Sequence, residues 1–514
     1  MGVIQNYLQR QKNFGTVADS TYNHIDEWLA WYQGKVKKFH FYWIYDGIQS
    51  KKQKRYKLGM AKKVCEDWAN LLLNEKVSIK TGSFDEKLKE ILDSNNFYTR
   101  ANQLIELAFA LGTGAFVEYR DSDGNPLVDY IRANMIYPLS WDNGDITECA
   151  FGSAKTINEK ERIYLQIHRK GIADEGENPD LYYIENKYLD ADTGDEVELP
   201  EDVEEIVPTE YEKPMFQIIT PNIMNNLELD SPMGISVFAN AIDQVKGSDL
   251  IYDSYMNEFV LGRKRILVPF SQAKIELQKD GVSKPVFDPN DTVYFMLPSD
   301  RQDDMKLTEV DMNIRAQEHE QGINKALDLL SLKCGMGTGR YKFDKGGVKT
   351  ATEVISDKDD LYQNLQKHKI PISTALQALV KALYFLECGT DELEVTIDLD
   401  DSIIEDTGTT IDKNIKLVQA GLRSKLSAIM EINKCSEEEA REELERIAED
   451  GQITGQDIDW TDGEGEEEEQ QEEEQKEDQE DEEKGEGLNE PARKPKSGGR
   501  NNKPLPKPRR AVDG

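Results

Sequence analysis

The stretch SPMGISVFANAIDQVKGSDLIYDSYMNEFVLG, Ser231 to Gly262, constrains the fold more than any other. Phe238, Ile242, Val245, Tyr252, Tyr255 and Phe259 recur along it at helical spacing. Ser231 and Pro232 supply an N-cap and a first-turn proline, and a helix over the whole stretch would be about 45 Å long. Its apolar residues occupy more than one stripe. One packing neighbour buries one stripe, so a helix of this kind demands partners on several sides.

Two further long patterns follow. Asp311 to Lys333 is polar at first (NIRAQEHEQG) and apolar later, through Ile323, Ala326, Leu327 and Leu330. Thr350-Ala-Thr-Glu353 has the capping-box form and opens a pattern that runs to Glu387, about 55 Å if fully helical. Pro371 lies inside it, removes one backbone donor and predicts a kink near Ile370. The half before it (DKDDLYQNLQKHK) reads as polar, whereas Ile372, Leu376, Leu379, Leu383 and Leu386 form a core face after it.

Between these two patterns lies the link GMGTGRYKFDKGGVKT, with five glycines and with Arg340, Lys342, Lys345 and Lys349. The chain of 514 residues carries 99 acidic against 63 basic side chains, a formal charge of −36. Such a balance opposes general adhesion to nucleic acid or anionic membranes, so contact with a polyanion must be local. A basic, glycine-punctuated link is where such contact is expected.

The remainder reads as α+β. Residues 1–57 interleave aromatics with lysines (KVKKFHFYWIYDG, then KKQKRYK), a pattern that serves either single-stranded nucleic acid or an aromatic docking surface. Helical spacing begins at Leu58, with Ala61, Val64, Cys65, Trp68, Leu71 and Leu72, and recurs at Phe84–Ser94 and Tyr98–Leu111. AFVEYR and PLVDYI flank an Asp-Gly turn, and strands are expected at Ile163–His168, Leu181–Glu185, Glu196–Leu199, Ile266–Val268, Val293–Leu297 and within LEVTIDLDDS. Prolines 269, 285, 289 and 298 break the region after Gly262 into short pieces. From Gly463 the chain is acidic and then basic and proline-rich, a composition that predicts disorder.

Catalytic patterns find little support. The link lacks the G-x-x-x-x-G-K-[ST] spacing of a nucleotide loop. Asp190–Asp195 (DADTGD) has its glycine one position early for a calcium loop and reads as an acidic turn. Asp398, Asp400 and Asp401 would suit a metal-dependent nuclease only with carboxylates from other elements, and reading them as a solvated strand end is simpler. The histidines share no ligand spacing and no Gly-x-Ser-x-Gly elbow occurs. No enzyme activity, metal or cofactor is expected. Five scattered cysteines read as reduced thiols, and no secretory or membrane-spanning segment is apparent in the sequence, which suits a soluble intracellular product.

Ser231–Phe259 resembles the first stem helix of tailed-bacteriophage portal proteins, in the branch found in long-tailed phages of Gram-positive bacteria. AKKVCEDWANLLLNEKVSI (61–79), KTATEVISDKDDLYQNLQKHK (349–369) and DLDDSIIED (398–406) resemble the same family in the same order. The resemblance implies an α+β portal fold: N-terminal helices and a β-rich wing over 1–230, stem helices at 231–262 and 311–334, and a small mixed clip at 263–310. It further implies a tunnel loop at 335–349, a kinked helix with a wing strand at 350–402, a helical crown at 403–462, and a tail at 463–514. By the same resemblance the chain assembles as a homo-oligomeric ring, a dodecamer, at one capsid vertex. Double-stranded DNA passes its tunnel during packaging, retention and ejection. Its partners are the terminase large subunit, a neck or adaptor protein, and the major capsid and scaffold proteins, with no membrane. Arg340, Lys342, Lys345 and Lys349 would then touch DNA, and Pro371 would mark the helix kink. An acidic tunnel repels phosphate and lets a duplex slide. The competing readings are the nuclease above and an acidic interaction protein whose tail binds basic partners.

Overall fold

The computed structural model describes residues 2–454 except 12–13, 46–49, 75–76, 122, 158–159, 202, 262–264, 270–274, 278–282, 286–292, 298–307, 311–312, 343–350, 400–406 and 434–436. The expected tail at 463–514 and much of the expected clip lie outside the described residues. The chain divides into two compact units, Met1–Asp406 and Thr407–Gly514.

The first unit opens with α1 (Gly2–Arg10), α2 (Asp19–Tyr32), α3 (Lys37–His40), an antiparallel hairpin of β1 (Phe41–Tyr45) and β2 (Ser50–Lys54), and α4 (Met60–Leu72). Next come β3 (Ser78–Lys80), α5 (Asp85–Ser94) and α6 (Phe97–Leu111). The helical spacing read from the sequence holds: Val64, Cys65, Trp68 and Leu72 are buried on α4, and Leu104, Ile105, Ala108 and Phe109 on α6. At the head of α5 the Asp85 carboxylate accepts the Thr81 hydroxyl at 2.7 Å, and that bond first, with the Thr81 amide, holds its pKa below the usual carboxylate range.

The β-rich region contains two sheets. β4 (Gly114–Arg120) pairs with β5 (Pro126–Arg132) across the Asp-Gly turn, where Gly124 has φ +86° and the Asp121 carboxylate accepts the amides of Asp123 and Asn125. The larger sheet is a meander of β6 (Ile136–Asp142), β7 (Asp145–Ile157), β8 (Lys160–Lys170), β9 (Tyr182–Asp190) and β10 (Glu196–Val197), with β11 (Ile206–Pro208) also on β9. DADTGD is the β9–β10 turn: Asp190 accepts the amides of Asp192 and Thr193 and pairs with Arg162. β12 (Phe216–Ile219) then returns to β4.

The expected helix from Ser231 is shorter than its pattern. α7 is Ile242–Leu261, about 30 Å long. Residues 231–241 instead cross the C-terminal end of α6. The Val237 amide (2.9 Å) and Ser236 hydroxyl (3.3 Å) donate to the Phe109 carbonyl, one of those that α6 leaves unpaired. The Gly234 amide donates to the Thr113 hydroxyl at 3.1 Å. The backbones meet at two glycines: a Cβ on Gly112 would sit 2.4 Å from the Gly234 carbonyl oxygen. Phe238 is fully buried there. Tertiary hydrogen bonds and burial replace the helical turns that Ser231-Pro232 predicts.

After α7 come β13 (Arg265–Pro269), β14 (Ile275–Leu277), β15 (Ser283–Pro285), β16 (Val293–Leu297) and β17 (Thr308–Val310). The two strands expected there, β13 and β16, run parallel, and β17 joins β13 antiparallel. α8 (Ala316–Lys333) returns alongside α7, and Arg315 and His319 both reach Glu258 of α7, holding its carboxylate below the usual range. α9 (Ala351–Cys388) and β18 (Thr396–Asp398) follow, with β18 pairing back to β3. The second unit holds α10 (Thr407–Gln419), α11 (Lys425–Asn433) and α12 (Glu437–Thr454), helical as expected, with the Ser424 hydroxyl capping the Ser427 amide of α11 at 3.1 Å.

Candidate nucleic-acid interface

The link after α8 starts from the centre of the core. Trp68 is fully buried, and its indole N–H donates to the Cys334 carbonyl at 3.1 Å, which fixes the end of α8. Gly335, Gly337 and Gly339 all have positive φ, between +72° and +78°, a backbone course that L side chains resist. Asn364 of α9 donates to the Gly335 carbonyl at 3.2 Å, and Met336 is buried.

Two carboxylates then hold the described cations of the link. Lys342 Nζ lies 2.9 Å from Asp328 Oδ2 on α8, while Asp328 Oδ1 accepts the Gly339 amide at 3.1 Å. The Tyr341 hydroxyl donates to Asp67 Oδ2 of α4 at 2.9 Å, and Arg340 Nε approaches the same oxygen at 3.8 Å. Burial, and then the charge of Asp67, push the Tyr341 phenol well above its ordinary pKa, so it remains a donor. Lys63 also reaches Asp67, at 2.6 Å. Nothing local in the sequence distinguishes Asp67 and Asp328 from other acids on helices. Lys345 and Lys349 lie outside the described residues.

Helix α9 closes the site from the other side. Its buried face begins before the proline, at Leu361, Leu365 and His368, and continues through Ile372, Leu376, Leu379 and Leu383. The half read as polar is therefore amphipathic. Pro371 sits inside a helix that continues on both sides of it. Its missing N–H would have served the Lys367 carbonyl, and Asn222 Nδ2 donates there instead at 2.8 Å. The Asn222 amide also donates to His368 Nδ1 at 3.0 Å, and the His368 ring packs edge-on against Trp68 and Phe109 at 4.8 and 5.0 Å. Burial first, and the neighbouring Lys367 second, bring the His368 pKa down to about 4, so the imidazole is a neutral acceptor.

The other candidates are dispersed. Asp398 ends the β3–β18 ladder opposite Ser78, while Asp400 and Asp401 lie outside the described residues. The buried Lys369 amine donates to the adjacent Leu399 carbonyl at 2.6 Å. Among the described residues no three of His, Cys, Asp and Glu group to hold a metal ion, and Cys65, Cys149, Cys334 and Cys388 are free thiols. No helix among the described residues is long and apolar enough to cross a membrane.

The paired helices α7 and α8 carry a strand region between them, and the basic link after α8 is anchored in an α+β body. The family model for "Phage portal protein, SPP1 Gp6-like" matches residues 15–457. The chain belongs to this portal family, whose members are structural components of the virion and serve as head-tail connectors. A solved chain from "Neck of native GTA particle computed with C12 symmetry" is similar at 11% identity and a TM-score of 0.41, over 84% of this chain and 99% of that one. No curated protein matches this chain.

Proposed function

We propose that the protein forms a homo-oligomeric ring, a dodecamer, at one capsid vertex, through which double-stranded DNA passes during packaging, retention and ejection. It assembles in the cytoplasm of a bacterial host and acts without catalysis of its own. α7 and α8 are the stem, residues 263–310 the clip that meets the terminase large subunit and the neck protein, and 403–462 the crown. The observation that carries this reading is the surface of the helical pair. Leu250, Phe259 and Val260 of α7 and Leu329 and Leu332 of α8 are each between 45% and 51% exposed, five large apolar side chains on two paired helices. Neighbouring copies on both sides would cover them.

Within the ring the link is the tunnel loop. Arg340 and Lys342 fix its base through Asp67 and Asp328, and Lys345 and Lys349 touch passing phosphate. Few cations in an acidic conduit give weak, exchangeable contacts, which suits a sliding duplex. The test is packaging in an infected cell or a reconstituted motor with Lys345→Ala and Lys349→Ala together. Expected is impaired packaging with intact rings by electron microscopy. Unchanged packaging overturns the loop assignment, and a wild-type chain that stays monomeric at every concentration overturns the ring.

A further inference from the structure

The hairpin of β1 and β2 is a sheet of two strands alone. Such a hairpin is marginal in water unless something covers it. Its base is firmly held. The buried Asp249 of α7 accepts the Leu58 amide at 2.7 Å and faces His40 Nε2 at 3.1 Å, while Asp253 accepts the Tyr56 amide at 2.9 Å and pairs with Arg55 at 3.4 Å. Beyond that base it stands in solvent, with Trp43 and Tyr45 each 68% exposed and Ile44 39%. The register sets Trp43 against Lys52 and Ile44 against Lys51, so both faces are mixed aromatic or aliphatic and basic. A rigidly anchored hairpin bearing exposed aromatics is built to be covered.

The same chain carries a complementary surface. Residues 190–212, around β10 and β11 at the edge of the large sheet, hold no lysine or arginine, while Glu198, Glu201, Glu204 and Glu205 are exposed there. Ile206 is 40% exposed among them. Beside it a recess of about 250 Å³ lies between α1 and the sheet, where Lys187 meets Glu205 at 2.7 Å, Glu185 at 3.3 Å and Glu196 at 3.8 Å. Three carboxylates face the Lys187 amine and the Arg169 guanidinium, which pairs with Glu185 at 3.0 Å, so one negative charge is left over in the recess.

We propose that the β1–β2 hairpin is an arm that docks on the β10–β11 rim of a neighbouring copy of this chain. Lys51, Lys52 and Lys54 meet the rim carboxylates, and Trp43, Ile44 and Tyr45 cover Ile206. Arm and rim are different patches, so the contact is heterologous and, repeated, closes a ring. The inference rests on the ring reading above and names a surface that would hold it together. Nucleic acid is the poorer occupant. Arg55 is already taken by Asp253 and by the Phe39 and Tyr42 rings, at 4.5 and 5.1 Å, and the net charge of −36 repels phosphate at a distance.

The test follows ring assembly of the full-length chain against concentration by native mass spectrometry at physiological salt. Lys51→Glu, Lys52→Glu and Lys54→Glu together, or Glu198→Lys, Glu201→Lys and Glu204→Lys together, should each raise the half-assembly concentration by at least about tenfold. All six combined should return it to within about threefold of wild type. Trp43→Ser with Tyr45→Ser should weaken assembly with an unchanged circular dichroism spectrum. Arm variants that assemble like wild type overturn the docking but leave the ring reading standing. Should those variants lose binding to a labelled oligonucleotide instead, the hairpin is a nucleic-acid surface. Weakened single sets without rescue in the combination overturn the arm–rim pairing. A wild-type chain monomeric throughout overturns the ring and the arm with it.

Discussion

The link after α8 and the β1–β2 hairpin are both basic and aromatic in sequence, yet the fold treats them in opposite ways. The described half of the link turns inward: Tyr341 and Arg340 reach Asp67, and Lys342 reaches Asp328. The hairpin is gripped at its base by Asp249 and Asp253, and its Trp43 and Tyr45 are each 68% exposed. Cationic composition therefore does not identify a binding surface. What differs is the setting of the cations. In the link they lie against acids of the subunit's body and are structural, whereas on the hairpin they stand beside exposed aromatics, a surface suited to a partner.

The largest perturbation should come from the residue on which the link is founded. Trp68→Ala empties a fully buried site and removes the donor to Cys334, so thermal or denaturant unfolding should show a loss of about 4 kcal/mol. Asp249→Ala strands the Leu58 amide in the interior and deprives His40 of its carboxylate, and should cost about 3 kcal/mol. Hydrogen exchange should then accelerate across residues 40–59 while the link is unaffected. An equal response in both regions would break the contrast between them.

Acid should act through two buried histidines, one of them packed against Trp68 at the foot of the link. Folded His368 titrates at about 4 and an unfolded histidine near 6.5. Above pH 6.5 both forms are neutral and stability is complete. As the pH falls below 6.5 the unfolded chain takes up the proton first, and stability declines until about pH 4 by an amount on the order of 3 kcal/mol. His368→Asn, which keeps an acceptor, should flatten part of that decline in Tm. His168, buried between Phe151 and Phe216 and lowered to about 3, contributes a further loss of the same sign.

Smaller effects sharpen the picture. Asp67→Asn with Asp328→Asn should cost about 1 kcal/mol, since both pairs are partly exposed. The same change should speed tryptic cleavage after Arg340 and Lys342 in limited proteolysis. No change in cleavage would mean that the carboxylates do not hold the link. Asn222→Ala should cost about 1 kcal/mol in the native chain and less in a Pro371→Ala background, where the restored N–H serves the Lys367 carbonyl. A double-mutant cycle reads the difference.

Much of the fold was legible wherever the signal is local. α4, α5 and α6 follow from apolar spacing, and β4–β5 from its Asp-Gly turn. A hairpin of the same kind, β6–β7, has Asn143-Gly144 at its turn, with φ of +49° and +92°. The β1–β2 hairpin carries its own Asp46-Gly47 signal within a stretch whose composition is basic and aromatic. Boundaries fared worse: Ser231-Pro232 opens a turn against α6, not a helix. Of the site, the link and Pro371 were visible, but none of the residues that hold them was. Asp67, Asn222 and Asp328 lie in unremarkable surroundings, and their roles arise from partners far away in the chain.

The helical patterns on either side of the basic link, the proline within α9 and the membership of a portal family are legible in the chain, because periodicity and family likeness are written along it. Folding alone brings Asn222 to the Lys367 carbonyl, β3 to β18, and carboxylates beside two link cations. The physical reason is the same in each case. A buried polar group must find a partner wherever folding brings one, and that distance in space has no counterpart in the spacing of the sequence.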